Sequence, residues 1–167
     1  MVTGYPPFHE ALPVRRYLAG DGVVVTEYLA FRVGDDLFAL PLANVREILI
    51  PPPITLVPRA PHDVLGIISV RGMLVTVVDL RQKFKLTKRA YLGAVKQRIL
   101  LVTAPSGEVM GLYVDAVAQV YRFADFEIEV AATILGSNVA DYIAGIGRRD
   151  NLMILLLALA PLLAPAR

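Results

Sequence analysis

A mainly β fold built from two small, pseudo-equivalent barrels is the architecture this sequence predicts, and three observations carry it. First, Gly66 to Arg81 sets one Arg71-Gly72 turn between two strongly apolar runs, Ile67–Val70 and Met73–Leu80. Their length, β-branched content and bounding glycines favour strands over a short core helix. Second, the plan of elements appears twice, with Val45 and Ile48 matched by Val117 and Val120, and Val64–Ile67 by Ile143–Ile146. The offsets are 72 residues in one case (45 to 117) and 79 in the other (64 to 143), and the order of elements matches as well as the residue types. Third, sustained helical periodicity is scarce along the chain.

Taken in order, residues 1–26 hold prolines at 6, 7 and 13 and no sustained period, so they read as a loosely ordered extension before a domain spanning residues 27–167. From Glu27, Leu29, Phe31 and Val33 alternate with Tyr28, Ala30 and Arg32, and Gly34-Asp35-Asp36 turns the chain into Leu37–Leu42. This is a hairpin. A short helical turn is expected over Ala43–Ile48, after which Pro51-Pro52-Pro53 imposes an extended, donor-free loop. The Arg71-Gly72 hairpin follows, Gly72 supplying the permissive backbone of a tight reversal. Arg98–Ala104 and Val109–Val114 form the next hairpin about Pro105–Glu108, and Leu152–Ala164 reads as a core strand followed by a helical turn. That last segment, 13 residues long and holding Pro161, is well short of the roughly 20 apolar residues of a membrane-spanning helix.

The composition narrows the function. In 167 residues there are 17 Lys and Arg, 15 Asp and Glu and no cysteine, a formal net charge of +2. Disulfides and thiolate chemistry are excluded, and the charge is too small to argue for nucleic acid. One run, Arg81 to Arg98, carries seven basic residues and no acid. Without an aromatic ladder it reads as a solvated connecting loop. The N-terminus has no signal-like apolar segment, so a cytoplasmic location is expected. The two histidines, His9 and His62, accompany no Gly-x-Ser-x-Gly elbow, and there is no phosphate-binding Gly-Lys loop. Asp79, Asp115, Asp125, Glu127 and Glu129 lack ligand spacing, so neither a metal nor any other cofactor is expected. The expected function is non-enzymatic.

Six collinear segments carry a family resemblance: Tyr28–Asp35, Val45–Ile48, Ser69–Gly72, Val78–Arg81, Gly111–Val117 and Tyr142–Gly147. Over about Glu27 to Leu163 the chain resembles the CheW domain of bacterial chemotaxis-type signalling. The resemblance implies two intertwined five-stranded barrels similar to SH3 domains. It also implies an adaptor that binds the cytoplasmic tip of a methyl-accepting type chemoreceptor and the regulatory domain of the histidine kinase CheA. Such a protein would be recruited to receptor arrays at the inner membrane, with homo- or hetero-oligomeric ring contacts.

Carried over position by position, the resemblance lines a receptor groove with Leu42, Val45, Ile99, Met110, Gly111 and Val117, as an amphipathic helix hairpin requires. It places an interface charge pair at Arg71 and Glu47, where a charge at the rim of an apolar groove fixes register. Plainer readings stand beside these: core burial for the groove residues, and a tie between two loops for the charge pair. Ser69 stands where the family usually has Asn, Ala158 and Ala160 where acids are common, and Pro51–Pro53 in the segment leading to the kinase-facing surface. A divergent member that binds receptor but not kinase is therefore the alternative. A small SH3-like ligand-binding protein is a further one, and it would need a polar pocket that no set of residues in the sequence announces.

Overall fold

The computed structural model describes residues 16–18, 22–86, 96–130 and 140–164. Among these residues eleven strands form two sheets, accompanied by two one-turn helices. In chain order they are β1 (Arg16–Leu18), β2 (Val24–Val33), β3 (Asp36–Pro41), β4 (Val45–Leu49), β5 (Val64–Val70), β6 (Met73–Asp79), α1 (Leu80–Lys83), β7 (Arg98–Thr103), β8 (Val109–Val114), β9 (Ala116–Ala124), β10 (Ile143–Arg149), β11 (Leu152–Leu157) and α2 (Leu159–Leu162). One barrel has the strand order β9-β2-β3-β11-β10, and the other β4-β7-β8-β6-β5.

These orders are the same order. The equivalence β4/β9, β5/β10, β6/β11, β7/β2 and β8/β3 maps one barrel on the other, and it preserves direction, since β3–β11 and β6–β8 are the two parallel pairs. It also preserves irregularities: bulges fall between Val64 and Gly66 and between Ile143 and Gly145. Each closing bridge is matched too, Thr55 with Ile67 in one barrel and Glu129 with Ile146 in the other.

The barrels are intertwined by exchange of strands. After the β2–β3 hairpin the chain leaves its barrel and β4 pairs with β7, and after the β7–β8 hairpin β9 returns to pair with β2. Alternation along each strand then sorts side chains between three cores. Ile99 and Leu101 fill one barrel with Ile68, Val75 and Val77, while Ala30, Phe123, Ile154 and Leu156 fill the other. The intervening positions, including Phe31, Phe38, Leu100, Val102, Leu112 and Leu155, form the larger core between the barrels. Phe84 joins it, stacked on Phe38 at a centroid distance of 4.8 Å. Each such side chain, shielded completely, contributes roughly 1.5–3 kcal/mol relative to exposure. The larger core thus binds barrel to barrel.

Three boundaries differ from expectation. The segment Ala43–Ile48, expected to be a helical turn, is a 3-10 turn over Leu42–Asn44 followed directly by β4. Its Val45 and Ile48 spacing suits a helix, but pairing with β7 decides the matter. The first long strand begins at Val24 rather than near Glu27. Within the segment expected to be a loose extension, β1 pairs with Val24–Thr26; residues 1–15 and 19–21 lie outside the described residues, as does the middle of the basic run, 87–95. No helix among the described residues is long and apolar enough to cross a membrane.

Candidate functional site: an apolar rim and a charge pair

Leu42, Val45, Met110 and Val117 are half-buried and pack on the margin of the inter-barrel core. Pairing explains why. Val45 lies opposite Val102, which lies opposite Met110, so all three share one face of their barrel. Val117 lies opposite Phe31 on the other barrel. Val45 and Val117 occupy equivalent positions at the starts of the two exchanged strands, and the crossovers therefore bring apolar side chains to the seam between barrels, partly open to solvent.

Ile99 and Gly111 do not line this rim. Ile99 is fully buried inside the second barrel. Gly111 is buried against it, and a Cβ at residue 111 would lie 2.8 Å from Ile99 Cγ2 and 3.3 Å from Val77 Cγ2. The physical reason is alternation: residues 99 and 111 point inward where 100, 102, 110 and 112 face the seam. Gly111 makes room for Ile99.

Arg71 and Glu47 are in contact with each other. Arg71 (φ 48°) and Gly72 (φ 80°) make the two-residue turn between the paired Val70 and Met73, the geometry of a type I′ reversal. From that turn the guanidinium reaches Glu47 in a forked contact, Nη1 donating to Oε1 at 3.2 Å and Nη2 to Oε2. The Arg71 side chain is 72% exposed and that of Glu47 34%. The bond from Arg71 holds the Glu47 carboxyl below the usual carboxylate range, and the same bond raises the guanidinium. Ile48, Met73 and Leu74, close to the two residues in sequence, are exposed apolar side chains. In the other barrel Asp150 and Asn151, also left-handed, replace Arg71 and Gly72. The acids there pair differently, Glu127 with Arg149 and Glu129 with Arg148, each at 2.9 Å.

Sequence reasoning missed a second cluster. Asp115, 5% exposed, accepts the Gly34 N–H at 2.7 Å and bonds the Arg81 guanidinium. Its own N–H donates to the Arg32 carbonyl at 3.0 Å. One carboxylate thus latches the β2–β3 turn, α1 and the β8–β9 crossover together. An acid closing an otherwise apolar strand was the available signal. Beside it Asp79 caps α1, accepting the Arg81 N–H at 3.0 Å, and burial pushes its carboxyl above the usual range. Two cations of the basic run expected to be a solvated loop are thus taken into the structure, Arg81 by Asp115 and Lys83 by Asp63.

Two interlocked SH3-like barrels, joined by exchanged strands and carrying an apolar rim at their seam, define the class of this protein. Comparison with known proteins narrows it: residues 27–166 match the CheW-like domain, and the chain belongs to that family. It is 33% identical over 133 residues to a chemotaxis protein CheW of Rhizobium meliloti, covering 80% of this chain and 84% of the relative. A chemotaxis protein CheW of Helicobacter pylori is 28% identical over 144 residues, 86% of this chain and 84% of the relative. Among solved structures, the scaffolding protein TtCheW of Thermoanaerobacter tengcongensis superposes with a TM-score of 0.74 at 30% identity, covering 83% of this chain and 87% of that one.

Proposed function

We propose that this protein is a non-catalytic adaptor of a chemotaxis-like pathway, coupling the cytoplasmic tip of a chemoreceptor to a CheA-type histidine kinase at receptor arrays on the inner face of the membrane. The observation that carries the reading is the rim of Leu42, Val45, Met110 and Val117 on a chain that matches the CheW-like domain over residues 27–166. Half-buried apolar side chains drawn from both barrels offer an amphipathic helix a surface to complete. The Arg71–Glu47 pair supplies the directional contact that such a surface lacks. The names of the relatives, chemotaxis protein and scaffolding protein, support a binding role over a chemical one.

The test is capture of the purified chain by a receptor cytoplasmic fragment and by the kinase regulatory domain, in separate experiments. Binding to both supports the adaptor. Binding to receptor alone supports the divergent member marked by Ser69 and Pro51–Pro53, and binding to neither rejects both readings.

A further inference from the structure

A cavity of about 660 Å³ opens where the β4–β5 connection, the end of α1, the turn before β10 and α2 converge. Its volume lies within the range of small-molecule sites. Arg59, Lys83 and Lys85 line it, with His62 beside them, and Asp63 is the one carboxylate among its lining residues. Asp63 is already committed: it holds Lys83 Nζ at 2.9 Å, both side chains nearly buried at 13% and 8% exposure, and Lys83 also lies 5.7 Å from the centre of the Tyr142 ring. Among the described residues neither Arg59 nor Lys85 has a carboxylate partner. Two cations with no carboxylate partner among the described residues therefore share the lining of the cavity with Tyr142 and Pro161.

The backbone strengthens the case. Among the described residues five other than glycine have left-handed φ, and three of them, Arg71, Asp150 and Asn151, sit in two-residue hairpin turns. The other two are Arg59 (φ 61°) and Lys85 (φ 53°), and both line this cavity. Each holds a position at which glycine is the expected residue. Ala60 N–H donates to the Val57 carbonyl at 3.3 Å, so Pro58-Arg59 are the central residues of a turn whose second position, with φ above zero, favours glycine. Lys85 N–H donates to Gln82 and Leu86 N–H to Arg81, the paired bonds of a helix end whose left-handed residue is usually glycine. A long cation at each such position costs conformational energy that a glycine would not. Left-handed backbone retained at two cationic residues that line one cavity is the kind of outlier from which a functional inference starts.

We propose that this cavity binds a small molecule through a phosphate or polyphosphate group, held by Arg59 and Lys85 over the buried Lys83, with the apolar body of the ligand against Tyr142 and Pro161. Forked and point-charge contacts from Arg and Lys are the common means of holding such oxyanions. The polar pocket that the sequence did not announce is assembled from four segments between residues 59 and 164, which is why no local motif marks it. This site is independent of the receptor rim.

The experiment is calorimetric titration of the full chain with inorganic pyrophosphate, against sodium chloride at matched ionic strength. Saturable one-site binding with a Kd of about 1 mM or tighter is expected. Arg59→Gly and Lys85→Gly should each weaken it by about tenfold or more, while the thermal midpoint stays level or rises because left-handed strain is relieved. Absence of saturable heat, or unchanged affinity in the double variant, overturns the proposal. A flotation arm with phosphatidylglycerol vesicles separates the source of the phosphate: capture on vesicles that requires Arg59 and Lys85, without binding of pyrophosphate, replaces the small molecule with a lipid headgroup and overturns the proposal in this form.

Discussion

Arg71 and Glu47 join the two ends of one sheet. The strand order of their barrel is β4-β7-β8-β6-β5, so Glu47 on β4 and Arg71 on the β5–β6 turn lie at opposite ends of the paired order, β5 four places and β6 three places from β4. Their forked contact lies across the seam where the barrel closes, close to the Thr55–Ile67 bridge in sequence. The same two side chains are therefore candidates for a closing tie and for a partner contact, and the two roles make different predictions.

If the pair reads a partner, Arg71→Glu should abolish receptor or kinase capture while leaving the thermal midpoint nearly unchanged, because the guanidinium is exposed. The double variant Arg71→Glu/Glu47→Arg restores an ion pair across the seam, and it should remain defective in capture. Recovery of capture by the double variant would assign the pair to barrel closure alone. The pair also has a pH signature: the Glu47 carboxyl is lowered in the folded state, so its contribution to stability is present above its ordinary value of 4.5 and is lost as pH falls through the lowered value. Acid titration of wild type against Glu47→Gln, followed by thermal melts, should show that loss only in the wild type.

Val45→Asp and Val117→Asp should each reduce receptor affinity by about tenfold or more, since an unpaired carboxylate on an apolar contact costs at least about 1.4 kcal/mol. Both chains should fold, their wild-type side chains being half-buried at the rim. Ile99→Asp is the contrast: it places the charge inside a barrel and should yield no folded protein by circular dichroism. Wild-type affinity in both rim variants would remove the rim from the interface.

Asp115→Ala removes the acceptor of the Gly34 N–H and one partner of the Arg81 guanidinium at a part-buried site. A loss of about 3 kcal/mol in urea unfolding is expected, the usual cost of breaking a buried pair from one side. The loss should appear in a single cooperative transition, because the latch spans both barrels. A variant as stable as wild type would show that the latch is dispensable.

Gly66→Ala should be more damaging than Gly111→Ala. At residue 66 a Cβ would lie 2.3 Å from the Thr55 carbonyl oxygen, and φ is 155°, so the backbone of the closing bridge must shift. At residue 111 the close atoms are the Cγ2 methyls of the buried Ile99 and Val77, at 2.8 and 3.3 Å, so the strain falls on side-chain packing and not on the backbone of the closing bridge. We expect roughly 3 kcal/mol or more for the first and about 1–2 kcal/mol for the second, measured by chemical denaturation. Equal losses would mean that the bridge at Thr55 yields readily.

Much of this architecture was legible because strands announce themselves locally. The Arg71-Gly72 and Gly34-Asp35 turns, the proline break at Pro51–Pro53 and the repeated order of elements required only neighbouring residues. The direction of each side chain was less legible. Ile99 and Leu100 are both buried apolar residues of β7, yet one fills a barrel and the other the seam; a strand buried on both faces carries no polar alternation to tell them apart. The Val45–Leu49 segment misleads for a related reason, since its short apolar spacing fits either period. The latch at Asp115 and the cationic cavity were the least legible, because each gathers residues from segments that only the exchange of strands brings together.

That exchange also sets an order of synthesis. The barrel β4–β8 is drawn from one continuous stretch, residues 45–114, and can close as soon as that stretch leaves the ribosome. Its twin takes β2 and β3 from the beginning of the domain and β9, β10 and β11 from the end. The hairpin made first packs Ala30, Leu37 and Ala39 against side chains of β9 and β11, so this face must wait for the strands made last and stays open for most of translation. A circular permutant that begins at Asn44 and joins Leu163 to Val23 through a flexible linker would make both barrels continuous. It should refold faster than the natural order of the chain, with less aggregation on the way, because the long wait for β9 to β11 has been removed.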